Sequence, residues 1–457
     1  MNRVLPTLLT GLLALGLTAC GTTPDPEGEQ NQPEVNQPDT PEPPGQLVQG
    51  SVTYNTSPDV SEAVLAELTA GNRDFAFDLL AALRAAEGDD ENLFLSPHSI
   101  SLALAMAYAG AANDTRAQMA QALRFTLDDA DLHAAFNALA LELARRSEVE
   151  VEEGDNFTLN IVNQSWGQIG FDFEDDYLNL LAEHYGAGLR LVDFINEYDP
   201  IREAINAWVE DYTNDRIQDL LPDGAVSGLT RFILVNAIYF FGSWDSAFEE
   251  DHTSPGPFQR LDGSTVDVDL MTQTQLFGYF VDEDSVAVAM PYVGGEVSMI
   301  AFMPADEDAD FLAWENSLTR QHFDDIADGV RGRLQVDLTF PKFESESDLS
   351  LVESMELLGM EDAFDDCDAD FQGITGAAPC IPMESLFISD ILHKSFVSID
   401  EEGTEAAAAT AVIFDTVSDS INEDPPPVVR FDRPFYYAIY DHPTDTILFL
   451  GRLVDPS

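Results

Sequence analysis

Apolar residues recur three or four positions apart along 60–86, 99–109, 115–123 and 201–212, the spacing that lines one face of a helix. Later in the chain, short β-branched and aromatic runs take over at 232–240, 285–289, 297–303, 334–340, 396–399, 435–440 and 446–450, and these read as strands. Helices come first and strands follow, so the pattern predicts an α+β fold and not an alternating α/β one. No repeat at a solenoid or propeller period and no low-complexity break divides 58–457, which predicts one large domain there.

The first residues follow a different pattern. A single basic residue, Arg3, precedes an apolar stretch over 8–17, and small residues then lead to Cys20. That stretch is too short to span a bilayer and predicts a secretory signal over 1–20. Leu17, Thr18, Ala19 and Cys20 resemble the lipobox of prokaryotic lipoproteins, which implies lipidation at Cys20; an ordinary secreted chain cleaved nearby is the alternative. Residues 21–57, rich in Pro, Glu and Gln and almost free of apolar side chains, predict a disordered tether. Together these imply a secreted protein, lipid-anchored to the cell envelope or cell surface, with the membrane met through the anchor alone. Two cysteines remain, Cys367 and Cys380, which in an oxidising compartment form either a disulfide or two free thiols.

Charge narrows the function classes. Across 457 residues, 84 Asp and Glu stand against 20 Lys and Arg, a formal charge of −64, so clusters of cations able to neutralise nucleic-acid phosphates or another polyanion are excluded. The 45% hydrophobic content is nevertheless enough for a large core. Only Lys342 and Lys394 are lysines, and the other basic residues are arginine. Such a composition fits a halophilic surface, where salt screens self-repulsion, and equally a secreted protein from a lysine-poor genome.

The search for catalytic chemistry returns absences. There is no Gly-x-Ser-x-Gly elbow, no His-Glu-x-x-His and no phosphate-cradling glycine loop. His98, His184 and His393 lack metal-ligand spacing and read as surface or structural residues. Asp366, Asp368 and Asp370 begin like a calcium loop, but Phe371 stands where glycine is needed and Ala377 where the last carboxylate belongs. No metal, no cofactor and no enzymatic activity are expected.

The informative stretch is Glu401, Glu402, Gly403, Thr404 and Glu405, followed by Ala406, Ala407, Ala408, Ala409, Thr410 and Ala411. Four alanines favour a helix by propensity. Read with period two, however, the stretch carries small side chains on both faces, as a strand must if it is to slide between two existing neighbours, and Gly403 supplies a hinge.

That hinge, the strand before it and the acidic, proline-marked segment after it resemble a serpin. The resemblance runs from about 58 to 457 and is carried by further stretches in order: Asn92, Ser96, Pro97 and Ser99 with Gly110 and Thr115; the run 232–242 with Asn236, closing on Trp244; His393 with Lys394; and Gly451, Arg452 and Pro456 near the end. It implies helices packed around three β-sheets with an exposed reactive-centre loop. It also implies a breach in which Lys342 pairs with Glu401 near Trp244, and a shutter of Ser96, Ser99, Asn236 and His393 beneath the opening of the main sheet. The implied activity is suicide-substrate inhibition: a serine protease attacks the loop, and the cleaved loop inserts before the acyl-enzyme is hydrolysed.

Fourteen residues on from Gly403 lies Val417, so the resemblance places the reactive bond at Val417–Ser418. A small β-branched residue there suits elastase-like or subtilisin-like targets, and no Lys or Arg lies between Gly403 and Arg430 to suit a trypsin-like one. The segment after that bond is long for the family, so Phe414–Asp415 and Thr416–Val417 remain open as registers. The expected partner is the target protease, held as a covalent acyl complex by a monomer; the alternative is a non-inhibitory serpin acting as a cell-surface binding protein.

Overall fold

In the computed structural model the described residues are 42–148, 157–381, 384–404 and 425–457, apart from the side chains of 160–163, 236, 237 and 239. The chain enters through a short strand, β1 (Gln46–Val48), and a long helix, α1 (Glu62–Glu87), whose first turn is capped by the Ser61 hydroxyl accepting from the Val64 amide at 3.3 Å. There follow β2 (Leu93–Leu95), α2 (Pro97–Tyr108), α3 (Asn113–Ala122) and α4 (Asp129–Ala144). Then come β3 (Thr158–Gln168), α5 (Asp175–Tyr185), β4 (Leu189–Val192), α6 (Phe194–Tyr212) and β5 (Phe232–Ser243). The next stretch is nearly all strand: β6 (Thr253–Gln259), β7 (Thr265–Val281), β8 (Ser285–Pro291) and β9 (Val297–Pro304). Helices α7 (Phe311–Glu315) and α8 (Arg320–Gly329) lead to β10 (Arg333–Pro341) and β11 (Phe343–Ser350), and α9 (Val352–Leu357) and α10 (Gln372–Thr375) to β12 (Leu392–Ile399). The chain closes with β13 (Gly403–Thr404), β14 (Val428–Arg430), β15 (Phe435–Asp441) and β16 (Thr446–Leu453).

The main sheet orders its strands β1-β4-β3-β5-β13-β12-β11. A second layer runs β14-β10-β7-β8-β9-β15-β16-β2, with β6 paired to β7. The long β7 belongs to two sheets at once: its first part pairs with β6 and β10, and its last residues, from Gly278, pair with β8. The second layer is thus two sheets joined through one continuous strand, which with the main sheet makes three. Helix α2 is buried along its whole length, as a helix that is apolar all round must be, and it packs against β5 and β16. At Gly451 the backbone passes so close to Tyr437 that a Cβ would lie 2.1 Å from its ring. Next to it, Arg452 is fully buried and makes a bidentate pair with Glu315 at 2.8 and 3.0 Å, so two charges leave water only as a matched pair.

The helical periods over 60–86, 99–109 and 115–123 correspond to α1, α2 and α3. The period over 201–212 forms the second part of α6: Glu197 breaks the helical geometry, and Pro200 then sits in the first turn of the continuing segment, where its missing N–H costs little. Helices α4 and α5, and the strands β3 and β7, were not predicted.

The predicted tether over 21–57 needs correction, because its last part is folded onto the main sheet. β1 pairs antiparallel with β4, the Trp166 indole N–H donates to the Pro44 carbonyl at 2.9 Å, the Asn55 amide donates to the Glu183 carbonyl, and Asn137 Nδ2 donates to the Asn55 carbonyl at 2.7 Å. Composition hid this because the contacts are made by backbone groups, which every residue carries, against an otherwise open sheet edge.

Candidate functional site

Two long neighbours in the main sheet, β5 and β12, are joined among the described residues through the two-residue β13 alone. Gly403 pairs with Ser243 and Thr404 with Gly242 on one side, and Thr404 pairs with Ile399 on the other. The chain therefore enters the sheet at one end, and beyond that entry β5 and β12 draw together to Cα separations within 8 Å, so their remaining lengths, 232–241 and 392–398, form a closed slot that a further strand would have to part. Entry is tight. A Cβ on Gly403 would lie 2.2 Å from the Gly242 carbonyl oxygen, so no larger residue fits there without moving β5.

The turn that feeds β13 is held from several directions. The Asp400 carboxylate accepts from the amides of Glu402 and Gly403 at 2.9 and 3.1 Å, and the Asp400 amide donates to the Gly403 carbonyl at 3.0 Å. Trp244 donates its indole N–H to the Asp400 carbonyl at 3.1 Å and its backbone N–H to the Glu402 carbonyl at 2.8 Å. Its ring stacks on Tyr292 with centroids 4.7 Å apart, and the Tyr292 and Thr404 hydroxyls meet at 2.6 Å in a buried contact. Lys342 donates to Glu401 at 2.6 Å, and the Thr253 hydroxyl donates to the other oxygen of that carboxylate at 2.7 Å.

Electrostatics favour both charges of that pair. Burial works against the Lys342 ammonium, but the Glu401 carboxylate outweighs it and holds the lysine above its ordinary range. Burial likewise pushes Glu401 up, and the hydrogen bonds from Lys342 and Thr253 outweigh it, leaving the carboxyl below the usual range. Such a pair fixes position more than it adds stability.

Beneath the slot lies a buried polar seam. The Ser96 hydroxyl caps α2 by accepting from the Ser99 amide at 3.3 Å and donates to the Leu448 carbonyl at 2.6 Å. The Ser96 amide donates to His393 Nε2 at 3.1 Å, which places the ring proton on Nδ1. Ser347 on β11 accepts from the Phe94 amide at 2.9 Å, and Ser395 on β12 donates to the Phe94 carbonyl. Asn236 lies on β5 opposite Asn163 of β3 by backbone register, and its side chain is outside the description.

Other expected site residues fall elsewhere. Glu405, Ala406, Ala407, Ala408, Ala409, Thr410, Val417 and Ser418 lie outside the described residues, as does Cys20. Cys367 and Cys380 are joined by a disulfide in the segment between α9 and β12. Asp366 and Asp368 are exposed while Asp370 is buried and accepts from Asn113 at 2.7 Å; no group of three or more His, Cys, Asp or Glu is placed to hold a metal among the described residues. Sequence reading missed Tyr292, Thr253, Asp400, Ser347 and Ser395. A signal existed for the serines: Ser345 and Ser347, and His393 and Ser395, occupy the inward positions of strands with strict period-two burial.

The buried histidines make stability depend on pH. Burial lowers His98, His133 and His393 to about 4. Unfolded, each titrates near 6.5, so between those values the unfolded chain binds more protons and stability falls as pH drops. From pH 7.5 to 5.0 the loss is about 2 kcal/mol per histidine. Urea midpoints at pH 7.5 and 5.0 check this, with His393→Gln, which keeps an acceptor for the Ser96 amide, expected to lose its share of the difference. An unchanged difference in that variant removes His393 from the account.

Comparison with known proteins agrees with this architecture. The family model described as serpin, serine protease inhibitor, matches residues 70–456. An uncharacterized serpin-like protein of Thermococcus kodakarensis is 36% identical over 412 residues, which is 89% of this chain and 91% of that one. Leukocyte elastase inhibitor of Bos taurus is 35% identical over 396 residues, 85% of this chain and 100% of its own length. The crystal structure of the thermophilic serpin tengpin in its native state matches with a TM-score of 0.74 at 29% identity, covering 89% of this chain and 100% of that one. A chain with this fold, matched over most of its length, belongs to the serpin family.

Proposed function

We propose that this chain is a suicide-substrate inhibitor of serine proteases. The observation that carries the reading is the slot: β13 enters between β5 and β12, paired on both sides, and the sequence continues beyond Thr404 with Ala406 to Ala409, small enough to follow it in. In this reading the protease serine attacks the carbonyl of Val417, the peptide nitrogen of Ser418 leaves, and an ester joins the two proteins. Insertion of the freed strand completes the sheet and carries the protease away before water reaches the ester. The chain performs no turnover and is not an enzyme.

The target class follows from the residue before the cut. Val417 fits the shallow pocket of elastase-like proteases and some subtilisin-like ones, and relatives named leukocyte elastase inhibitors support the elastase type. Carboxylates at Asp415, Asp419, Glu423 and Asp424 would favour a basic protease surface. The inhibitor works as a monomer, needs no cofactor, and is held at the cell envelope through lipidated Cys20, as a prokaryotic lipoprotein-type member of the family on a halophilic, acidic surface.

Mixing the mature protein with an elastase-like protease tests the reading by denaturing electrophoresis and mass spectrometry of the released peptide. A denaturant-stable adduct with a C-terminal fragment beginning at Ser418 is expected. Fragments beginning at Asp415 or Val417 move the register, and cleavage without any adduct turns the assignment to a non-inhibitory cell-surface binding protein.

A further inference from the structure

Two imidazoles far apart in the sequence meet where α4 packs on α5. The rings of His133 on α4 and His184 on α5 lie 6.2 Å apart between centroids. His133 is buried and His184 is half-buried, so solvent reaches the pair from the His184 side. His133 Nδ1 meets the Tyr185 hydroxyl at 2.6 Å; with Nδ1–H donating to that oxygen, the lone pair is left on Nε2, which is buried and has no partner. His184 Nδ1 is also buried without a partner. Two further orphaned atoms belong to the same two helices: Asn137 Oδ1, one turn on from His133, and the Tyr177 hydroxyl, two turns before His184.

Buried polar atoms are almost always paired, so four orphans on one helix pair need a reason. The pattern at His133 is that of a metal ligand: one ring nitrogen is fixed by a hydroxyl, which sets the tautomer and orients the ring, and the other is free. Spacing fits as well. Two imidazoles on one ion, each at about 2.0–2.1 Å from metal to nitrogen, set their ring centres roughly 5–6 Å apart. Rotation of the half-buried His184 ring closes the small remaining gap. Charge also favours a cation here, in a chain of formal charge −64 with Asp129 one turn before His133 and Glu183 beside His184. Spacing along the sequence gave no hint of such a pair, because it takes one ligand from each of two helices.

We infer that the α4–α5 seam binds one late first-row transition-metal ion, of the class of Zn2+, Ni2+ or Cu2+, through His133 Nε2 and His184 Nδ1, with water in the remaining positions. Donor type gives the selectivity. Surface carboxylates hold Mg2+ and Ca2+ through oxygen, whereas neutral imidazole nitrogen prefers the later transition metals. Asn137 Oδ1 and the Tyr177 hydroxyl are placed on the same helices to take hydrogen bonds from the coordinated waters. The ion would act as a pin. Helix α4 leads into β3 and α5 into β4, two neighbours in the main sheet, so joining the helices stiffens that side of the fold. Protease inhibition does not depend on it.

The test titrates Zn2+ into the full chain, stripped of metal, by calorimetry in a large excess of Mg2+ that occupies the carboxylates. One ion is expected to bind, and the thermal midpoint to rise by about 3 °C at a hundredfold excess over Kd. His133→Gln and His184→Gln are each expected to weaken binding on the order of a hundredfold. The control is His252→Gln, which removes an exposed imidazole 3.4 Å from Glu249, the rival surface site, and should bind like the parent. Co2+ in place of Zn2+ adds a spectroscopic check, since its visible absorption should report nitrogen ligands in the parent and lose that signature in both seam variants. No binding above the Mg2+ background means that the seam holds water only and overturns the site. Undiminished binding in His184→Gln overturns it too, as does loss confined to His252→Gln. Should His133→Gln fail to fold, the half-buried His184 position still decides.

Discussion

Cutting the chain once between residues 405 and 424, with a protease that does not stay attached, is expected to raise its thermal midpoint by on the order of 10 °C. The reasoning starts from the slot. β5 and β12 present facing edges along 232–241 and 392–398, and among the described residues β13 fills only the first two positions. While the loop is intact, its far end continues into β14, which pairs parallel with β10 in another sheet, and that attachment opposes any movement of the chain inward behind Thr404. Severing it removes that restraint. About ten residues can then join both ladders, and at about 1 kcal/mol net for each hydrogen-bonded residue the gain is on the order of 10 kcal/mol. A chain of this size gains roughly 1 °C per kcal/mol. Calorimetry of intact and cut protein reads the difference directly, and a cut form melting no higher than the intact one sinks the inhibitor mechanism.

Replacing Thr404 by arginine is expected to convert an inhibitor into a substrate, with the ratio of adduct to cleaved product falling by on the order of a hundredfold. Thr404 is buried, its hydroxyl against that of Tyr292, whose own side chain is fully enclosed. Arginine does not fit that buried position, so β13 would be held out of the sheet until the cut, and insertion would then have to bury its charge at a cost of several kcal/mol. Insertion and hydrolysis compete for the same acyl-enzyme, and about 1.4 kcal/mol on the insertion barrier shifts their ratio tenfold. The association rate should change little, because the cut bond lies many residues away. Thr404→Ser, which keeps the hydroxyl, should stay within about twofold of the parent. An arginine variant that still traps protease as efficiently as the parent would show that the slot is not the path the strand takes.

Parts of this mechanism could be read without coordinates, and each had a local cause. Gly403 followed by a run of small residues is a statement about side-chain volume, and volume is written in the sequence. Lys342 was conspicuous as one of two lysines, and the structure sets it 2.6 Å from Glu401. Tyr292 could not be found that way: nothing near it in the chain relates it to Thr404, and the two meet because Trp244 turns back from β5 to pair with Tyr292. Thr253, the second donor to Glu401, is likewise supplied by a strand of a different sheet.

The sequence by itself determined the class of the fold, helices α1, α2, α3 and the second part of α6, strands β5, β8, β9, β10, β12, β15 and β16, and the glycine at the hinge, since periodicity and side-chain size are local properties that act over one element at a time. Tertiary structure alone decided the rest. β1 docks on β4 through backbone groups that have no side-chain signature. β7 continues from one sheet into another because neighbours distant in sequence pair with each half. His98, His133 and His393 are neutral because the fold takes them out of water, not because of the residues beside them. Contacts between segments far apart in the chain depend on which ladders form and where they stop, and that is decided by the folded molecule as a whole.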